Sequence, residues 1–111
     1  MLKRINNLIW EIAVVPSTNP ELIVNGVACV GTTWVMQQKI YLSEELNELT
    51  ARSVIAHELT HAFLYSTQIQ VKDEKTYTEE EVCELISKWG DAILSLTDEI
   101  YRELYREVKN G

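Results

Sequence analysis

The 111-residue chain reads as one α+β domain. The expected architecture is a small antiparallel or mixed sheet of about three strands, packed on a helix that carries both of the chain's histidines, with two further helices beside it. Three observations predict this. β-Branched, strand-type runs fill the chain up to Leu42, and helical periodicity takes over after Ser43. The length is near the commonest size for a domain with a single core. Hydrophobic residues at 46% and charged residues at 24% fit a globular protein rather than a disordered one.

Leu8 to Val15 is apolar, partly β-branched and closed by Pro16, which makes it a strand. Ser17-Thr18-Asn19-Pro20 is a turn cluster. Gly26 to Met36 is rich in β-formers and reads as a strand, with Gly31 marking a bulge or a close backbone approach. Gln37-Gln38 turns the chain into a short arm, Lys39 to Leu42, completing a hairpin. Ser43 has the character of an N-cap, with Glu44 and Glu45 placed where acids suit the helix dipole, and Thr50 offers a second cap. The helical pattern then runs from Ala51 to about Tyr65. Gln68 to Thr76 is polar and reads as a loop. Thr78 caps the next helix, whose apolar stripe is Val82, Leu85, Ile86, Trp89 and Ile93. Gly90 ends or kinks that helix, and a last one from Thr97 towards Lys109 buries Ile100, Leu104 and Val108.

The net charge of −7 argues against nucleic acid or an anionic membrane as partner, since either selects a basic patch. Cys29 and Cys83 form neither a CxxC motif nor a disulfide framework. They read as two small buried residues, which makes the reducing cytoplasm the expected compartment. Lys3 and Arg4 before an apolar stretch resemble a signal peptide, but Glu11 interrupts the stretch and no small-residue cleavage site follows. No run of 18 apolar residues exists to span a membrane. Trp10, Trp34 and Trp89 are expected in the core.

The chemistry is concentrated at His57-Glu58-Leu59-Thr60-His61. On a helix, positions i and i+4 share one face, so two imidazoles can reach one metal ion. Glu58 sits about 100° further round, near enough to exchange a proton with a water held there. The HExxH spacing points to zinc, with the glutamate as general base of a metallohydrolase. Two satisfied histidines on an amphipathic helix are the plain alternative.

A catalytic zinc takes three protein ligands and keeps the fourth position for water. With no third histidine, the remaining ligand is a carboxylate or, less favourably, Cys83. Glu79-Glu80-Glu81 opens the following helix. Helix arithmetic sets Glu80 nearly opposite the apolar stripe, beside Cys83, Glu84 and Ser87, small neighbours that favour a close approach to the motif helix. Glu79 and Glu81 are assigned to the helix dipole and a solvated face, and Glu80 to the metal. Glu80 and Glu84 are four residues apart, so one can bind metal while the other orients a ligand imidazole.

Val54-Ile55-Ala56-His57-Glu58-Leu59-Thr60-His61-Ala62-Phe63 fits the extended zincin pattern, with uncharged residues around the motif. Glu80-Glu81-Val82-Cys83-Glu84 resembles the second gluzincin motif, ExxxD/E, in which the first acid is the ligand. Over roughly residues 26 to 100, the chain resembles the small gluzincin-like metallopeptidases often carried by phages and mobile elements. These are similar in outline to the ImmA/IrrE-type peptidases. The resemblance implies a minimal zincin-like domain with zinc held by His57, His61 and Glu80, Glu58 as general base, and Glu84 supporting a histidine ligand. It also implies a protein or peptide substrate held by β-augmentation along a strand near Gly31 to Trp34. Two departures stand out. No histidine is left to stabilise an oxyanion, which leaves Tyr65, Tyr77, Tyr101 or nothing, and Glu84 stands where Asp is more usual. A rival from another class is a non-catalytic, zinc-stabilised interaction module whose acidic surface binds a basic protein.

Overall fold

A computed structural model describes residues 1–67 and 77–110, with side chains to residue 105. The expected loop from Gln68 to Thr76 lies outside the described residues. The chain opens with a hairpin the sequence reading did not contain. Strands β1 (Leu2–Ile5) and β2 (Leu8–Val15) pair antiparallel across a two-residue turn in which Asn6 has a φ of 55°. Asparagine tolerates this left-handed conformation at little cost, which lets the chain reverse so tightly.

A 3₁₀ turn over Pro20–Leu22 follows, its first free amide satisfied by the Asn19 side chain, which accepts from the Glu21 N–H. The single strand expected from Gly26 to Met36 is two elements. Strands β3 (Ile23–Val24) and β4 (Val27–Ala28) form a small separate hairpin around Asn25-Gly26, whose φ angles are 51° and 78°. Two consecutive positive φ angles make the tight reversal that suits a hairpin's twist, and Asn-Gly is the pair that adopts it most readily. The remainder is β5 (Gly31–Trp34), which turns through residues 35–38 into β6 (Lys39–Ser43), the expected hairpin.

The main sheet has the order β1-β2-β6-β5: four strands where about three were expected. β2 and β6 are parallel, and the other pairs are antiparallel, so the sheet is mixed. β5 lies at one edge and β1 at the other.

Helix α1 (Glu48–Ser66) is capped by Asn47, whose side chain accepts from the Leu49 N–H at 2.8 Å. The expected caps are displaced. Ser43 accepts from the Glu45 N–H in the preceding turn, and Thr50 lies inside the helix. Thr78 does cap the next helix: its hydroxyl accepts from the Glu81 N–H, while the Glu81 carboxylate accepts from the Thr78 N–H, a reciprocal capping box. That helix, α2 (Glu79–Asn110), is one element rather than two. Gly90 costs roughly 1 kcal/mol of helix propensity, but Leu85, Trp89, Ile93, Leu96 and Ile100 form one unbroken buried or half-buried stripe across it. The stripe outweighs the glycine.

α1 and α2 run antiparallel on one face of the sheet. Arg52 pairs with Asp98 near the start of α1, and Phe63 meets Trp89 near its end. The core lies between, with Ile12, Ile40 and Leu42 from the sheet against Ile55, Leu59 and Phe63 from α1 and Ile93 and Ile100 from α2. Trp10 is fully buried and donates its indole N–H to Ser66 Oγ at 2.9 Å, tying β2 to the end of α1. Trp34 and Trp89 are only half-buried, not core as expected. The two free cysteines depart from the burial expected of them, for Cys29 is half-buried and Cys83 exposed. Among the described residues no helix is long and apolar enough to cross a membrane.

Candidate metal centre

Burial decides which way each side chain of α1 faces. Ala51, Ile55, Glu58, Leu59 and Ala62 are buried towards the sheet and core, while His57 and His61 are exposed. Arg52 and Phe63 mark the flank that carries α2. At about 100° per residue, the imidazoles lie roughly 120–180° round from that flank. They stand beside each other, ring centroids 5.0 Å apart and planes at 73°. The expected pairing on one helix face is present.

Glu58 occupies the seam between α1 and the edge strand β5. It is only 7% exposed, unusual for a glutamate. The Thr33 hydroxyl donates to Glu58 Oε1 at 2.8 Å and also approaches the Glu58 carbonyl at 3.2 Å. Its second oxygen, Oε2, accepts no hydrogen bond among the described residues. Among the described residues no buried side-chain polar atom lacks a partner, so Oε2 is not a buried orphan and retains some contact with solvent. One carboxylate oxygen is therefore fixed by the protein and the other is open to water.

Gly31 makes this seam possible. A Cβ there would stand 3.1 Å from Val54 Cγ1, 3.2 Å from Glu58 Cγ and 3.4 Å from Glu58 Oε2. Side chains alternate along a strand, so Gly31 and Thr33 both face α1. Thr32 and Trp34 face the opposite side, where each donates to the Glu21 carbonyl of the 3₁₀ turn. The sequence reading marked Gly31 as a close backbone approach but missed Thr33. The period-two alternation from Gly31 was the signal that pointed to it.

Glu80 lies elsewhere. It is exposed and lines an open cleft of about 420 Å³ with Asn6, Thr67, Glu84, Lys88 and Trp89, on the β1 side of the fold. The imidazoles are on the β5 side. The face proposed for close helix approach, through Cys83, Glu84 and Ser87, is exposed; the Leu85 face packs instead. Val82 and Ile86, expected in the buried stripe, are 50% and 60% exposed. Glu84 pairs with Lys88 at 2.6 Å rather than with an imidazole. Among the described residues no group of three His, Cys, Asp or Glu side chains stands ready to hold a metal ion. His57 and His61 fit two positions of a zinc site by donor chemistry and spacing, and the structure does not bring Glu80 to them.

The candidate oxyanion tyrosines Tyr65 and Tyr101 are engaged in other contacts. Tyr65 stacks edge-on against Trp10. Tyr101 donates to Glu48 and lies under the Arg52 guanidinium, and burial pushes its phenol up from the ordinary value. Tyr77 is exposed at the start of α2.

The chain matches no protein-family model, and no significant match to a curated protein or a solved structure is found.

Proposed function

We propose that the chain is a zinc-dependent metallopeptidase with a minimal zincin-like fold, acting on a protein or peptide in the cytoplasm. One observation carries this reading: Glu58 is buried under an edge strand with one oxygen fixed and one open to water, next to an exposed imidazole pair. A purely structural metal site has no use for such a carboxylate. His57 and His61 would hold the zinc, with Glu80 the third ligand the resemblance implies. Bound zinc would supply Lewis acidity to a carbonyl and lower the pKa of a coordinated water.

The chain's own residues do the rest. Both imidazoles must be neutral to ligate, so metal binding weakens in acid. Glu58 Oε2 takes a proton from the attacking water and passes it to the leaving amine. Among the described residues β5 pairs with β6 alone, so its outer backbone groups would be placed to hold an extended substrate. The two unpaired cysteines suit a reducing compartment.

The test is elemental analysis and zinc titration of the full chain, wild type beside His61→Ala and Glu80→Ala. About one zinc per chain, lost in both variants, supports the His57/His61/Glu80 site. Zinc lost in His61→Ala alone keeps the imidazole pair and moves the third ligand elsewhere. No zinc in the wild type after reloading removes the peptidase reading. A second reading, the non-catalytic acidic interaction module, draws on the missing third donor among the described residues. Its signature is bound zinc with no hydrolysis.

A further inference from the structure

We infer that Thr33 is a positioning residue for Glu58, and that β5 as a whole, through Gly31 and Thr33, sets the angle at which the base meets water. This rests on Glu58 being the general base. Thr33 Oγ1 has one proton to give, and two acceptors compete for it. The Oε1 contact at 2.8 Å is shorter than the carbonyl contact at 3.2 Å, so the carboxylate receives it. A free glutamate side chain rotates about three bonds. Here Oε1 is pinned by a hydroxyl on a hydrogen-bonded strand, and Cγ is bounded by the bare Cα of Gly31. Two rotations are thereby restricted from the same strand, and Oε2 is the oxygen left to face solvent.

The arrangement also couples the base to the substrate. A peptide added to the outer edge of β5 would hydrogen-bond to the backbone that carries Thr33. The strand that would hold the scissile bond is then the strand that holds the base. A general base must sit within hydrogen-bond reach of the proton it takes, and small displacements cost rate without costing binding.

The experiment compares the zinc-loaded full chain with Thr33→Val, Thr33→Ser, Gly31→Ala and Glu58→Gln. Labelled casein is the first substrate, and a quenched peptide from an observed cleavage site gives kcat and KM. Valine matches threonine in shape and removes the hydroxyl. Thr33→Val is expected to lower kcat by about ten- to a hundredfold with KM within about twofold, zinc content unchanged. Thr33→Ser, which keeps the hydroxyl, should stay within about threefold of wild type. Gly31→Ala should lower kcat with the fold retained, because its methyl group crowds Glu58. A role confined to stability would lower the melting temperature of Thr33→Val and leave kcat alone. Full kcat in Thr33→Val, beside an inactive Glu58→Gln, overturns the inference and spares the general-base reading. Normal hydrolysis by Glu58→Gln, or none by the zinc-loaded wild type, overturns both.

Discussion

Replacing Glu58 by glutamine separates chemistry from structure better than any other single change. Glutamine has almost the same shape, and its amide oxygen can still accept from Thr33 Oγ1 at the 2.8 Å now made to Oε1. The buried seam stays filled, and a carboxylate only 7% exposed becomes neutral. The expected change in folding stability is therefore within about 1 kcal/mol in either direction. The ability to accept a proton is lost, which typically costs two to four decades in rate, or about 2.7–5.4 kcal/mol of barrier. Alanine is a poorer test. It empties the seam beside Gly31 and forces the Thr33 proton onto the Glu58-position carbonyl, so that lost activity is confounded with lost packing. The assays are zinc content, urea unfolding and hydrolysis of labelled casein at matched zinc occupancy. A Glu58→Gln chain that binds zinc and keeps a rate within about fivefold of wild type would refute the general-base argument.

Three further outcomes follow from the packing and the charges. Trp10→Phe loses the indole hydrogen bond to Ser66 and part of a fully buried side chain, and should destabilise by about 2–3 kcal/mol in urea unfolding. Gly90→Ala should stabilise α2 by about 0.5–1 kcal/mol, because the added methyl meets nothing nearer than Ile86 Cγ2 at 3.5 Å. The hydrogen bond from Arg52, with the charge of Arg102 beside it, holds the Asp98 carboxyl below its ordinary value. A depressed carboxylate contributes stability that is present above its unfolded value near 3.9 and is lost as pH falls through the folded value. Wild type should thus exceed Asp98→Asn in melting temperature at neutral pH, and the two curves should converge in acid.

The sequence carried the motif helix, the cap at Thr78 and the β5–β6 hairpin, because each has a local signature. A four-residue histidine spacing, a threonine before an acidic first turn and a polar turn between β-branched runs need no tertiary partner to be read. Three features were not legible in the same way. Asn25-Gly26 is a strong hairpin signal, but it sits at the start of a longer β-rich run and was absorbed into it. β1 is four residues long and amphipathic only by pairing, so Lys3 and Arg4 carry no strand signal of their own. Burial works against the Lys3 amine, and hydrogen bonds to Glu103 and Glu99 outweigh it and raise its pKa. Gly90 looked like a break because propensity was weighed before the stripe that crosses it. At the site, His57, Glu58 and His61 followed from spacing, whereas Thr33 required knowing which face of β5 meets α1.

The placement of Glu80 follows from a choice between two faces of α2, and the energetics of that choice make a sharp prediction. Turning the whole helix so that Glu80 faced the imidazoles would expose Leu85, Ile93 and Ile100, now 6%, 6% and 1% exposed. At about 1.5–3 kcal/mol for each buried side chain, the cost is about 5–9 kcal/mol, comparable to the stability of a small domain. That burial holds the Leu85 face of α2 against the core. The turns before Leu85 are different: Glu79, Glu80, Val82, Cys83 and Glu84 are all exposed, so their departure from the helix uncovers no core side chain. For Glu80 to ligate, residues 79–84 must leave the helix while the chain from Leu85 onward stays. Zinc should then alter amide hydrogen exchange at 82–84 and leave 89–100 unchanged. One zinc bound per chain with exchange unchanged in both stretches would assign the third ligand to a donor other than Glu80.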